Sequence, residues 1–367
     1  MPQPFVKPAL LLTLAAGVVG VLWACSPSPP AMRSADTAST PPPAEAPSPG
    51  VVAAPAKLVL SESPWQFDAA PGRIVRTPSY VLYTTLPKGQ LADRMPAFLE
   101  RALFHYTSEI ADLPKPTESM ETFLFATRPQ WNRKTQTVLG ADAGPFLRID
   151  RGGFSYRGQG VYYDLGTIND TLTIAGHEGW HQYVQTTFRE PLPVWLDEGV
   201  ATYMEGYRPS PDDPTLPIFM PWANMERYET LRFSMYRRRL LPLDELLRTS
   251  PQQLMSRDDW APLRYYAQVW ALIHFLREGE AGRYEPALSA MLTDAAFGRT
   301  SRVIEERLGR QAGSTYRTRR DGTLLFTAYV SPDLALVDTQ FKAFLDQLGQ
   351  RGVRTKISQG KSPILTP

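Results

Sequence analysis

The stretch TLTIAGHEGWHQYVQ, residues 171–185, holds two of the chain's four histidines, His177 and His181, with Glu178 directly after the first. In a helix, residues four apart share a face one turn apart, so both imidazoles can point at one metal ion. Glu178 falls about 100° round the helix from His177, which sets its carboxylate beside the ion and not on it. That division of labour suits zinc hydrolysis: two neutral nitrogens hold Zn²⁺, and the neighbouring carboxylate takes a proton from the water that the metal activates. Asn169 or Asp170 is expected to cap this helix, and Leu172, Ala175 and Val184 supply its apolar side. Gly176 and Gly179 each cost about 1 kcal/mol relative to alanine. Two of them in one helix imply that a neighbouring element, or a substrate, comes close.

A third ligand follows in LPVWLDEGVATYMEG, residues 192–206. Glu198 opens an expected second helix, with Thr202 and Glu205 on the same face at i+4 and i+7. A solvated acidic face would also read this way. Yet Trp195, Leu196, Val200, Ala201 and Tyr203 surround the carboxylate with apolar bulk, and a buried glutamate needs a partner such as a zinc ion.

With HEGWH and WLDEGVA in hand, the sequence resembles the gluzincins, zinc peptidases with two HExxH histidines and a glutamate from a following helix. It is most similar to the compact peptidase-MA-like branch. Residues 264–276, RYYAQVWALIHFL, are similar to the helix on which this clan carries its catalytic tyrosine, which implies that role for Tyr266, with Tyr265 the alternative register. The resemblance covers most of residues 75–350. It implies an α+β, zincin-like fold, in which a small mixed β-sheet with a helix precedes the HExxH helix and a mostly helical C-terminal subdomain. It further implies Zn²⁺ on His177, His181 and Glu198, Glu178 as general base, and a peptide or protein substrate. Glu205 or Thr202 is expected to orient a ligand histidine through its second ring nitrogen. The likeness has two departures. The interval from His181 to Glu198 is shorter than in the large aminopeptidases of the clan. No GxMEN-like element precedes HEGWH, where Gly160-Val-Tyr-Tyr-Asp-Leu-Gly166 stands instead. The second departure points to an endopeptidase, with Gly160 to Leu165 expected as the edge strand that pairs with an extended substrate.

The rest of the chain sets the surroundings. With 367 residues and 43% hydrophobic content it can bury a large core, and 39 basic against 37 acidic residues give no reason to expect a nucleic-acid partner. Arg237-Arg238-Arg239, the longest basic run, reads as a solvated helix face. The N-terminus, MPQPFVKPALLLTLAAGVVGVLWAC, has Lys7 before an apolar run over residues 9–24, too short for a membrane span and suited to a signal-peptide core. Its end, Leu22-Trp23-Ala24-Cys25, resembles a bacterial lipoprotein signal. By that resemblance Cys25, the one cysteine, becomes the lipidated first residue, and acyl chains hold the protein to a membrane in the cell envelope. Ser26 would direct it to the outer membrane, facing the periplasm, in a Gram-negative source. Residues 25–57, rich in proline, alanine and serine, form a tether.

A domain over residues 58–350 is expected next, then a loose tail over 351–367. Residues 79–85, 121–127, 146–150 and 160–164 read as strands, and 91–110 as a helix. After Thr171 the chain reads mostly helical, near 222–239, 243–248, 265–278, 284–295 and 333–349, with a proline-rich loop over 208–221. His105 and His274 read as packing or surface histidines. No GxSxG and no glycine-rich phosphate loop competes with the HEGWH reading. Two other functions stay open at this point: a non-catalytic envelope lipoprotein that uses such a fold for binding, and a zinc hydrolase of cell-wall peptides.

Overall fold

The computed structural model describes residues 58–148, 152–258 and 260–364. The expected signal peptide, Cys25 and the tether lie outside the described residues. Six strands, β1 (Ser61–Phe67), β2 (Ala70–Arg76), β3 (Tyr80–Thr84), β4 (Met120–Phe125), β5 (Phe154–Tyr156) and β6 (Gln159–Tyr163), form one mixed sheet. Its order is β1-β2-β3-β4-β6-β5. The pairs β3–β4 and β4–β6 are parallel, and the others antiparallel. Between strands lie helices α1 (Gln90–Ser108), α2 (Arg128–Leu139) and α3 (Ala143–Leu147). Next come α4 (Ile168–Thr187), α5 (Val194–Met204), a hairpin of β7 (Tyr207–Pro209) and β8 (Pro217–Phe219), and α6 (Met225–Tyr236). The remainder is helical: α7 (Leu243–Arg248), α8 (Pro251–Leu254), α9 (Ala261–Glu278), α10 (Glu285–Ala296), α11 (Thr300–Leu308), α12 (Arg310–Arg319), α13 (Gly322–Tyr329), α14 (Leu334–Leu348) and α15 (Val353–Ser358). The protein is therefore α+β, with the sheet built before most of the helices.

Strand alternation divides the sheet's side chains between two cores, because successive residues point to opposite faces. Leu82, Met120, Leu124 and Tyr162 join the main core with α1, α4, α5 and α9. Phe123, Phe125, Val161 and Tyr163 face the other way, where Trp131 of α2 closes a smaller core and donates its indole N–H to the Val161 carbonyl at 3.1 Å. Helix α9 is buried on nearly every side, as its almost uniformly apolar sequence requires. It packs along α5, so the segment carrying Glu198 is held between α4 and α9.

Several expectations are corrected. Phe146 and Leu147 lie in α3 and not in a strand. A short apolar run cannot be assigned by period alone, and here Phe146 turns to meet Phe154 at a ring separation of 5.3 Å. The strand over Gly160 to Leu165 forms as β6, but it is not an edge: β4 lies on one side and β5 on the other. The edge is β5. Thr167, not Asn169 or Asp170, caps α4, its hydroxyl accepting from the Asp170 N–H at 3.1 Å. Part of the expected tail folds as α15, where Val353 and Ile357, four apart, are both buried beside α6. The proline-rich loop holds the β7–β8 hairpin, with Tyr207 opposite Phe219.

Candidate metal centre

Side chains around HEGWH fix α4 against the sheet. Gln182 donates to the carbonyls of Glu121 at 2.6 Å and Gly158 at 2.9 Å, and accepts from the Thr122 hydroxyl at 3.0 Å. Gln185 donates to the Ser155 carbonyl at 3.1 Å, and the Ser155 hydroxyl donates to the Glu178 carbonyl at 2.6 Å. The register of the helix against β5 and β6 is thereby set within the turn that carries the histidines.

The two glycines now have a cause. A Cβ on Gly179 would lie 2.6 Å from the Tyr106 hydroxyl, which crosses from α1 to donate to the Gly176 carbonyl at 2.7 Å. A Cβ on Gly176 would press on the Met204 carbonyl at 3.3 Å. Neighbouring elements, not a substrate, require both.

His177 and His181 face one another with their Nε2 atoms 3.2 Å apart. Each Nε2 is also 3.4 Å from Oε2 of Glu198 on α5. Three donor atoms thus form a nearly equilateral triangle. A tetrahedral zinc with bonds of about 2.0–2.1 Å needs its donors about 3.3 Å apart, so the spacing fits. The far side of each ring fixes its tautomer. His177 Nδ1 meets Glu205 Oε1 at 2.8 Å, and His181 Nδ1 meets Asp197 Oδ1 at 3.1 Å. Carboxylates only accept, so each neutral imidazole carries its proton on Nδ1 and turns a lone pair inward. Glu198 Oε2 has no hydrogen-bond partner among the described residues. Three buried lone-pair atoms aimed at one point repel one another unless a metal ion or a proton lies between them. Among the described residues, His177, His181 and Glu198 can hold a metal ion.

The electrostatics agree. Burial alone would lower the His177 pKa, but Glu198 and Glu205 raise it overall. Burial likewise opposes a proton on His181, and Asp197 with Glu198 hold its pKa well above the ordinary histidine value. Burial would raise Glu198, yet its contacts with the two histidines bring it down to about 2. A field that favours positive charge at this point favours a cation equally.

Glu178 stands apart from the ligands. It is fully buried, and neither carboxylate oxygen has a hydrogen-bond partner among the described residues. Burial raises its pKa, against the pull of the two histidines. Tyr266 brings its ring edge-on to His177 with centroids 6.1 Å apart. Its neighbour Tyr265 donates to the Thr249 carbonyl at 3.2 Å.

The expected supporting residues divide. Glu205 does hold His177. The Thr202 hydroxyl instead bonds back to the carbonyls of Glu198 at 2.9 Å and Gly199 at 2.8 Å within its own helix. Sequence reasoning missed three others. Asp197 orients His181 and also accepts from the Trp180 indole at 3.0 Å. Its place beside Glu198 in WLDEG was the available signal. Arg227 and Asn224 had none. Arg227 grips both oxygens of Glu205, at 2.7 and 3.0 Å, and Asn224 adds a bond at 2.6 Å. The guanidinium of Arg227 also lies 5.3 Å from the centre of the Tyr266 ring. A carboxylate with three buried donors keeps its charge: burial would raise Glu205, but Arg227 and His177 lower it to about 2.

Comparison with family models, curated proteins and solved structures finds no match to this chain. The candidate metal centre therefore rests on its own geometry.

Proposed function

We propose that this protein is a zinc-dependent peptidase of the zincin type, acting as an endopeptidase in the cell envelope and anchored there through Cys25. The observation behind it is the triangle of two Nε2 lone pairs and Glu198 Oε2, with the unpartnered Glu178 carboxylate on the same helix turn. His177, His181 and Glu198 would hold Zn²⁺, which when bound supplies a Lewis acid that polarises a carbonyl and acidifies water. Glu178 takes the proton from the attacking water and passes it to the leaving amine, a task suited to a carboxylate whose pKa burial has raised. The Tyr266 hydroxyl donates to the oxyanion that develops on the carbonyl oxygen, a contribution of about 3 kcal/mol for donors of this kind. Glu205 and Asp197 keep the two imidazoles in the tautomer that presents Nε2.

One observation favours a second reading, a non-catalytic metal site. His177, His181, Glu198 and Glu178 are all within 2% of complete burial, and closed sites are the structural kind. Three protein ligands instead of four favour the catalytic reading. Metal analysis of the purified chain, with hydrolysis of an unfolded protein measured with and without a chelator, separates the two. Bound zinc that disappears in His177→Ala, with chelator-sensitive hydrolysis that disappears in Glu178→Gln while zinc stays, is the expected result. Zinc without hydrolysis in the parent chain moves the assignment to the second reading, and a parent chain that binds no metal ends both.

A further inference from the structure

The C-terminal end of α6 presents a surface that the metal centre does not use. Phe233 and Tyr236, three apart on one face, are 55% and 83% exposed. Tyr228, Leu231 and Ser234 on the opposite face are buried, which locks the helix with both rings outward. The chain then runs straight into Arg237-Arg238-Arg239, all exposed. Backbone bonds from these three residues to Phe233, Met235 and Ser234 close the helix end, with Arg238 held at φ 52°. Arg232 and Arg354 share the single carboxylate of Glu229. Arg237 and Arg238 meet no carboxylate among the described residues, and Arg237 rests on the Phe233 ring at 5.2 Å. Arg238, Asp346 and Lys342, the last paired with Asp338, border a shallow groove between α6 and α14 that Met235, Leu240 and Leu345 line. Basic residues at a helix C-terminus do offset its dipole, but that explains neither three arginines in a row nor two aromatic rings left in water.

We propose that this tip of α6 contacts a membrane surface of anionic lipid headgroups. The arginines complement the phosphates, the Tyr236 ring settles at headgroup depth, where an aromatic body with a polar edge is best accommodated, and the apolar Phe233 ring enters the boundary with the acyl chains. A folded acidic partner would need a fitted pocket for each projecting ring, whereas the bilayer interface needs none. The first turn of the same helix holds Arg227 at the metal centre. Nine residues at about 1.5 Å each place that centre on the order of 14 Å along the axis from the lipid contact.

Cys25 is the one native cysteine, so the full chain with Cys25→Ser and Tyr236→Cys takes a single nitroxide label. Power-saturation measurements then read its depth on vesicles of phosphatidylcholine with phosphatidylglycerol. The expected result is a label at 236 that gains oxygen access and loses access to an aqueous nickel complex, as does one at Phe233→Cys. A label at Glu306→Cys stays aqueous. The depth signature vanishes in R237Q/R238Q/R239Q, whose preference for anionic over neutral vesicles falls on the order of a hundredfold, about fivefold per arginine. A label at 236 that stays aqueous on vesicles carrying bound protein overturns the proposal, because it places the membrane contact in the N-terminal segment alone. A label immobilised before any vesicle is added also overturns it, since a second copy then covers the patch.

Discussion

Replacing Arg227 with methionine tests whether the ligand geometry depends on a charge pair outside the ligand set. In the folded protein Glu205 is 4% exposed and keeps its charge against two guanidinium bonds, the Asn224 amide and His177 Nδ1. Methionine fills much of the volume but supplies no donor. Removing one partner of a buried ion pair costs about 3–5 kcal/mol, because the other charge stays behind uncompensated. Glu205 can relieve this by taking up a proton, since Arg227 is the largest influence that keeps its pKa down. A neutral carboxyl holds the His177 imidazole less firmly, and losing such a support lowers metal affinity about 10–100-fold. The assays are urea unfolding of the metal-free protein and competitive zinc titration of the folded protein. Arg227→Lys keeps the charge but loses the two-pronged grip, so it falls between parent and methionine variant. In the double variant R227M/E205Q the buried charge is gone, and part of the lost stability returns. An Arg227→Met protein with parental unfolding and parental zinc affinity would refute the reasoning, and a double variant no more stable than Arg227→Met would remove the charge explanation.

Gly179→Ala places a methyl group 2.6 Å from the Tyr106 hydroxyl, and overpacking of this kind costs about 1–3 kcal/mol; denaturant unfolding reads it, and Tyr106→Phe in the same background recovers part of the loss. Zinc added to the metal-free parent raises its stability by about 4 kcal/mol at a thousandfold excess over the dissociation constant, and a chelator reverses this, whereas His177→Ala shows no zinc effect in the same thermal scan. His105 gives a pH dependence distant from the metal. It stacks on Phe219 at 4.8 Å, and burial, helped by Arg277, lowers its pKa to about 3. Glu109 at 3.6 Å is too far for a hydrogen bond that would reverse this. The unfolded chain binds the proton more readily, so this stability is present above pH 6.5 and is lost as pH falls toward 3. Between pH 7 and pH 5 the loss amounts to about 2 kcal/mol, and His105→Gln should flatten the unfolding profile by that amount.

What could be read from the sequence follows the range of the physics involved. His177, Glu178 and His181 lie within five residues, so helical geometry alone brings them together. Glu198 lies one helix later, and its apolar neighbours announced its burial. Period-based reading also found α1, β3, β4, β6 and α9, because each has one face or all faces in a core. It failed on elements whose apolar content is thin. Helix α12 buries only Gly313 and Tyr316 of ten residues, and β1 is exposed along most of its length, so neither leaves a pattern. Edge position was not legible either: β6 has the apolar content of a buried strand, but the three-residue β5 that covers it carries too little sequence to announce itself.

The part of the site that stayed hidden is the part that closes over long separations. Arg227 reaches Glu205 across 22 residues, and Tyr106 reaches Gly176 across 70. Both contacts depend on how helices cross, which local period does not encode. This explains why glycine was the better clue and arginine gave none. A glycine in a helix is a local irregularity that calls for a neighbour, and Gly176 and Gly179 found theirs in Met204 and Tyr106. An arginine at the start of an amphipathic helix is ordinary until the fold places a carboxylate opposite it. By the same argument, the exposed Arg237-Arg238-Arg239 run was visible as charge but not as a surface. Only the burial of Tyr228 and Leu231 turned Phe233 and Tyr236 outward to join it.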